Sequence, residues 1–263
     1  MRSKLNSVFG LVAATIVAFG VQGVANAAVL NVSDVSGTWT GLTSSPAEIP
    51  QSIVGLNTGS VSWGVPIRAG GQQSGYTFVG SAPGQIESDK DFNLGMFTHN
   101  NFVIVTGTSI AGAALGLVVN MVVGGKPRSL PASFNFSHDE TLNIGEAGFC
   151  KNGLTNFGTG DNRNGCADRV AILNNTAQKE SFEIDGLLYI LEITGFIKGS
   201  STFSEFWTVE NEANSAYLRA RFTFVGRAGP IDPPPSPVPL PAAGWLLLAA
   251  LGALGAARAR RKA

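Results

Sequence analysis

The chain has 263 residues and a mass of 27.3 kDa, with 33 glycines, only 14% charged residues and a formal net charge of zero. The balance is uneven: both ends are basic, and residues 28–257 carry 12 Lys and Arg against 18 Asp and Glu. Such an acidic body argues against nucleic acid and anionic membrane surfaces as partners, and abundant glycine with sparse charge suits many short strands joined by tight turns.

In chain order, residues 1–27 read as a signal peptide. Arg2 and Lys4 give a basic start, residues 8–21 are apolar, and Ala25-Asn26-Ala27 is a small-x-small cleavage site. Cleavage before Ala28 is expected, which exports the chain. Two-residue periodicity then dominates. Strands are predicted at 37–42, 60–67, 75–79, 102–107, 115–123, 133–137, 181–185, 187–196 and 217–224. In the last, Leu218, Ala220, Phe222 and Phe224 share one face while Arg219, Arg221 and Thr223 share the other. Gly70-Gly71, Pro83-Gly84, Gly124-Gly125 and Gly199-Ser200 punctuate the strands. The pattern predicts one all-β domain over residues 28–226, an antiparallel β-sandwich of jelly-roll type. Residues 227–237 follow as a Pro-rich linker, stiffened by Pro233-Pro234-Pro235.

Residues 238–263 divide into three parts. Val238-Pro239-Leu240-Pro241 is followed by an uncharged apolar run at 242–257, then by Arg258, Arg260, Arg261 and Lys262. The run is just long enough for a short transmembrane helix, with Trp245 at one interface and the basic end cytoplasmic. A Pro motif, a minimal span and a basic stop form an address more than a working membrane domain.

Several residues invite chemistry. Cys150 and Cys166 are the only cysteines. In an exported chain an even, minimal count favours one disulfide, and metal or catalytic use lacks both CxxC and a neighbouring histidine at ligand spacing. Asp161, Asn162, Asn164 and Asp168 offer oxygen ligands for Ca²⁺ in or beside the loop between the cysteines, without the ligand order of an EF-hand; otherwise no cofactor is expected. His99 and His138, the only histidines, lie in polar clusters beside Asn100, Asn101, Asp139 and Glu140. The commoner expectation is that these residues hydrogen-bond in strand-end turns. A hydrolase would use a histidine with Asp139 or Glu140 as base and orienter, yet no nucleophile elbow or zinc motif accompanies them. Trp39, Trp63 and Trp207 lie in or near strands, where large apolar side chains are usually core. On an open face they would stack on sugars.

The tail resembles the PEP-CTERM sorting signal of Gram-negative bacteria, in the variant whose Pro core reads Val-Pro-Leu-Pro, with Pro-Ala-Ala-x-Trp-Leu-Leu-Leu following. Gly37-Thr38-Trp39, Val61-Ser62-Trp63-Gly64, Leu94 to Asn100, His138 to Asn143 and Cys166 to Val170 resemble the choice-of-anchor K domain, a bacterial surface module. Leu142 stands where that pattern favours Pro. The first resemblance implies an exosortase-like processing enzyme as partner, and an inner-membrane anchored intermediate before release to the cell surface or extracellular matrix. The resulting expectation is a non-enzymatic protein, structural or adhesive in the exopolysaccharide layer. The alternatives are a carbohydrate-binding module using Trp39, Trp63, His99 or His138, and a secreted hydrolase.

Overall fold

The computed structural model describes residues 29–44, 52–143, 148–174 and 181–229. The expected signal peptide with Ala25, Ala27 and Ala28, most of the linker, and the whole tail from Val238 lie outside the described residues. Among the described residues, no helix is long and apolar enough to cross a membrane.

The chain forms two antiparallel sheets. Their strands are β1 (Val29–Ser44), β2 (Ser60–Trp63), β3 (Ser74–Gly80), β4 (Gly84–Glu87), β5 (Asp91–Asn101), β6 (Ile110–Val123), β7 (Lys126–Asp139), β8 (Asp168–Asn174), β9 (Phe182–Ile184), β10 (Leu187–Lys198), β11 (Ser201–Phe203), β12 (Glu205–Thr208) and β13 (Glu212–Arg227). The first sheet runs β12-β8-β7-β6-β1-β4, and the second β11-β10-β13-β5-β3-β2 with β9 on the flank of β10. Hairpins such as β6–β7, closed by Gly124 and Gly125 at positive φ, supply the antiparallel pairing.

One hydrophobic core lies between the sheets. Alternation drives it: a strand points successive side chains to opposite faces, so an every-second-residue apolar row buries itself as a unit. β13 buries Ala216, Leu218, Ala220 and Phe222 in this way, and β6 buries Leu115, Leu117, Val119 and Met121. The centre is aromatic. Phe97 of β5 meets the rings of Trp39, Tyr76, Phe136, Phe196 and Phe206 at centroid distances of 4.9–5.9 Å, which joins both sheets. β1 also approaches the second sheet through its backbone. Val35 donates to Ser81 O, and a Cβ on Gly80 would lie 1.6 Å from Val35 O, so only glycine fits there.

Three expectations need correction. Residues 102–107 form no strand; Ile104 makes only an isolated bridge to Pro66, because a turn at Thr106 and Gly107, the glycine at positive φ, follows after Val105. β5 and β8, both interior strands, were absent from the predicted set. The turns expected around His99 and His138 are instead the ends of β5 and β7, with both imidazoles facing the core.

Candidate functional site

The inward rows change chemistry at one end of the core. β5 steps inward from Phe97 to His99 to Asn101, and β7 steps from Phe136 to His138, with Glu140 just beyond its end. β12 steps from Phe206 to Thr208, with Glu210 just beyond, and β8 runs the other way, from Val170 back to Asp168. Four strands therefore change from apolar to polar at the same level, without any break in the backbone alternation. His99, Asn101, Asp168, Thr208 and Glu210 have no exposed surface.

Hydrogen bonds tie this end together across the gap between the sheets. Tyr76 OH lies 2.7 Å from His138 Nδ1, and His99 Nδ1 lies 2.9 Å from Thr208 Oγ1. Thr208 spends its one hydroxyl proton on the carbonyl of Asp168 at 3.1 Å. It must therefore accept from His99 Nδ1–H, which leaves His99 Nε2 as an unprotonated lone pair. That nitrogen is buried with no hydrogen-bond partner. His138 Nε2 faces Glu140 Oε2 at 3.2 Å, and Ser109 Oγ donates to the same oxygen at 3.0 Å. Asp168 Oδ1 accepts from the Thr141 amide at 2.7 Å, while its Oδ2 has no partner. Glu210 Oε1 accepts from Asn143 at 3.2 Å, and its Oε2 has none.

The electrostatics follow from burial. Asp168 is held well above the usual carboxylate range, first by desolvation and then by repulsion from Glu140. Glu140 is pushed up to about 7 by burial, against the Ser109 hydrogen bond, and Glu210 to about 7 by burial and by Glu140. Burial lowers both histidines, His99 further with the help of His138, so the imidazoles are neutral. Among the described residues, no lysine or arginine pairs with any of these three carboxylates.

A disulfide-closed loop caps this end. Cys150 and Cys166 are bonded, with Cα atoms 5.2 Å apart, as their count predicts. Thr141 Oγ1 donates to Cys166 O and Ala167 O, and the Cys166 amide donates to Asn143 Oδ1. Gly165 sits between them at φ 140°, where a Cβ would lie 2.4 Å from Asn143 Oδ1 and 3.1 Å from Glu210 Cγ. Only glycine lets the loop lie so close to the carboxylates. Beside the cap, a groove of about 680 Å³ runs along residues 103–107 to Ser109, Glu140 and Leu142, and half-buried Glu140 joins it to the polar cluster.

The residues singled out from sequence are distributed unevenly. His99 and His138 converge, with ring centroids 5.1 Å apart. Trp39 and Trp63 are fully buried, which corrects the idea that they present a platform to sugars. Trp63 instead lies parallel to His99 at 5.9 Å and edge-on to His138, as a wall of the cluster. Trp207 is half-buried, out of phase with the inward pair Phe206 and Thr208. Of the loop oxygens proposed for Ca²⁺, Asn162 is buried and bonds Asn152, Leu154 O and the Ala167 amide, while Asn164 donates to Glu210 O and Glu212. Of the two carboxylates, Asp168 but not Asp161 belongs to a group of converging ligand atoms. Tyr76, Thr208 and Glu210 escaped the sequence reading. For Thr208 and Glu210 the signal was an aromatic-to-polar step of two residues, Phe206-x-Thr208-x-Glu210, matching Phe97-x-His99 and Phe136-x-His138-x-Glu140. No protein-family model matches the sequence, and no curated protein matches it.

Proposed function

We propose that this chain is an exported surface or extracellular-matrix protein that binds or scaffolds within an exopolysaccharide layer and does not turn over a substrate. It reaches that layer through an exosortase-type system that processes its tail, passing through an inner-membrane anchored intermediate. The domain is read as a jelly-roll-like β-sandwich, in keeping with two facing antiparallel sheets around one core.

The observation that carries the reading is the Cys150–Cys166 disulfide, which closes a polar, Gly-rich loop. Such crosslinks form and persist in oxidising compartments outside the cytosol, in keeping with the signal-like residues 1–27. The acidic balance of residues 28–257 also disfavours a nucleic-acid role. For the non-enzymatic part, no cysteine is free among the described residues. Ser109, moreover, reaches a carboxylate, whereas a serine triad has its serine proton taken by an imidazole. The test is intact-mass analysis of the mature protein from its native cells, with fractionation. Loss of residues 1–27 and of the Arg258–Lys262 end, in the surface fraction, is the expected result. A full-length C-terminus on surface-located protein would overturn the sorting route, and turnover in a screen of glycoside, ester and peptide substrates would overturn the binding role.

A further inference from the structure

We infer that His99, His138 and Asp168 form a site for one divalent transition-metal ion of the Zn²⁺ class, set inside the polar end of the core and guarded by Glu140 and Glu210. The inference is independent of where the protein is delivered. One potential ligand atom from each of His99, His138 and Asp168 lies within 4.8 Å of the others, and the same holds for Glu140, Asp168 and Glu210. Asp168 belongs to both groups and so links the two histidines to the Glu140 and Glu210 carboxylates.

The unpaired atoms say what is missing. His99 Nε2, Asp168 Oδ2 and Glu210 Oε2 are all buried and all without a partner. His99 Nε2 carries a lone pair, because the Thr208 bond fixes its proton on Nδ1. Buried lone pairs left without a donor are costly in a low-dielectric interior. A cation bound to His99 and Asp168 removes the cost at both; another hydrogen-bond acceptor cannot.

The supporting shell has the form that metal-binding histidines require. A ligating imidazole usually gives its second nitrogen to a fixed partner, which sets its tautomer and orientation. Here both Nδ1 atoms are held by hydroxyls, His99 by Thr208 and His138 by Tyr76, and His138 Nε2 faces the Glu140 carboxylate. Trp63 packs against both rings and restricts their rotation. Asp168 is braced by the Thr141 amide on its other oxygen, and Thr141 is itself fastened to the disulfide loop. The ligand chemistry selects the ion. Two imidazoles and a carboxylate suit Zn²⁺, Co²⁺ or a related ion, whereas Ca²⁺ and Mg²⁺ take oxygen ligands. Zn²⁺ bonds of about 2.0–2.1 Å place tetrahedral ligand atoms about 3.3 Å apart, so capture draws the three side chains inward by about an ångström. The groove at Glu140 gives an ion its route from solvent.

The test uses the full-length chain in detergent with its disulfide intact, stripped with a chelator and titrated with Co²⁺ while visible absorption is recorded. One equivalent is expected to produce d–d bands that Zn²⁺ abolishes by displacement. His99→Gln and Asp168→Asn should lose the bands, and Thr208→Val and Tyr76→Phe should weaken binding by about 10–100-fold, as loss of a supporting partner does. Absence of bands and of Zn²⁺ uptake by the stripped wild-type protein would overturn the proposal, leaving a proton shared by Asp168 and His99 to fill the gap. So would unchanged binding by folded Asp168→Asn protein, checked by near-UV circular dichroism. If the ligand variants fail to fold, the wild-type titration and the Thr208→Val shift still decide.

Discussion

The aromatic body of the core and its polar end are made from the same strands, two residues apart, yet they obey opposite rules. Around Phe97, five ring contacts fill the space between the sheets, and nearly every group there gains by leaving water. One inward step further along, His99, Asp168, Thr208 and Glu210 are equally buried, and three of these four carry an atom that gains nothing from burial. The backbone treats both regions alike. What differs is side-chain satisfaction: the aromatic body gains from every buried group, whereas the polar end holds buried atoms whose desolvation nothing in the protein offsets.

The contrast can be broken most forcefully on its apolar side. Phe97→Ala should destabilise the domain by about 3–5 kcal/mol, because a cavity opens where both sheets meet. Denaturant unfolding measures it, and a loss below about 1 kcal/mol would mean that the centre repacks freely. Removing the disulfide with Cys150→Ser and Cys166→Ser comes next. It should cost about 3 kcal/mol for a closed loop of this length, with hydrogen exchange rising at Thr141 and Asn143, which the loop fastens.

Two further tests sharpen the polar side. His138→Ala should cost about 1–3 kcal/mol by stranding the buried Tyr76 hydroxyl. Asp168→Asn should be close to neutral in metal-free protein, because burial already keeps Asp168 protonated. The asparagine oxygen keeps the Thr141 bond, and its amide stands in for the protonated carboxyl. Thermal unfolding of both variants with chelator present separates a network built for stability from one built for a ligand. If Asp168→Asn is destabilising, the unpaired oxygens are not the weak point they look to be.

The last expected effect is a slope with pH. Glu140 and Glu210 are raised in the folded state from the usual 4.5 to about 7. A carboxyl raised on folding contributes stability that is fully present below its unfolded value and is lost as pH rises through its folded one. Metal-free protein should therefore be more stable near pH 5 than near pH 8, by on the order of 1 kcal/mol per group. A double variant, Glu140→Gln with Glu210→Gln, should flatten the slope in calorimetry. An unchanged slope would assign it to other groups.

The strongest strands were legible because one face is apolar throughout. β13 and β10 alternate along most of their length, and β6 is apolar on both faces, so any reading of period two or continuous hydrophobicity finds them. β5 and β8 were not legible for the reason that makes them interesting. His99, Asn101 and Asp168 stand at inward positions where the pattern expects an apolar side chain, so the period-two signal dissolves just where the polar cluster forms. Asn, Asp and His are also common turn residues. The same letters describe a loop or a buried site, and only their partners distinguish the two.

By itself, the sequence determined an all-β fold, one crosslink between its two cysteines, and two histidines rich in polar neighbours. Local alternation, turn chemistry and cysteine count suffice for these, because each depends on residues near one another in the chain or on a pairing with no alternative. The meeting of His99 with His138 and Asp168, the burial of Trp39 and Trp63, and the unpaired oxygens of Asp168 and Glu210 were decided by tertiary structure alone. They depend on register across two sheets, where β5, β7, β8 and β12 come to one level. That register is set by the packing of the whole core, which no single stretch of sequence contains.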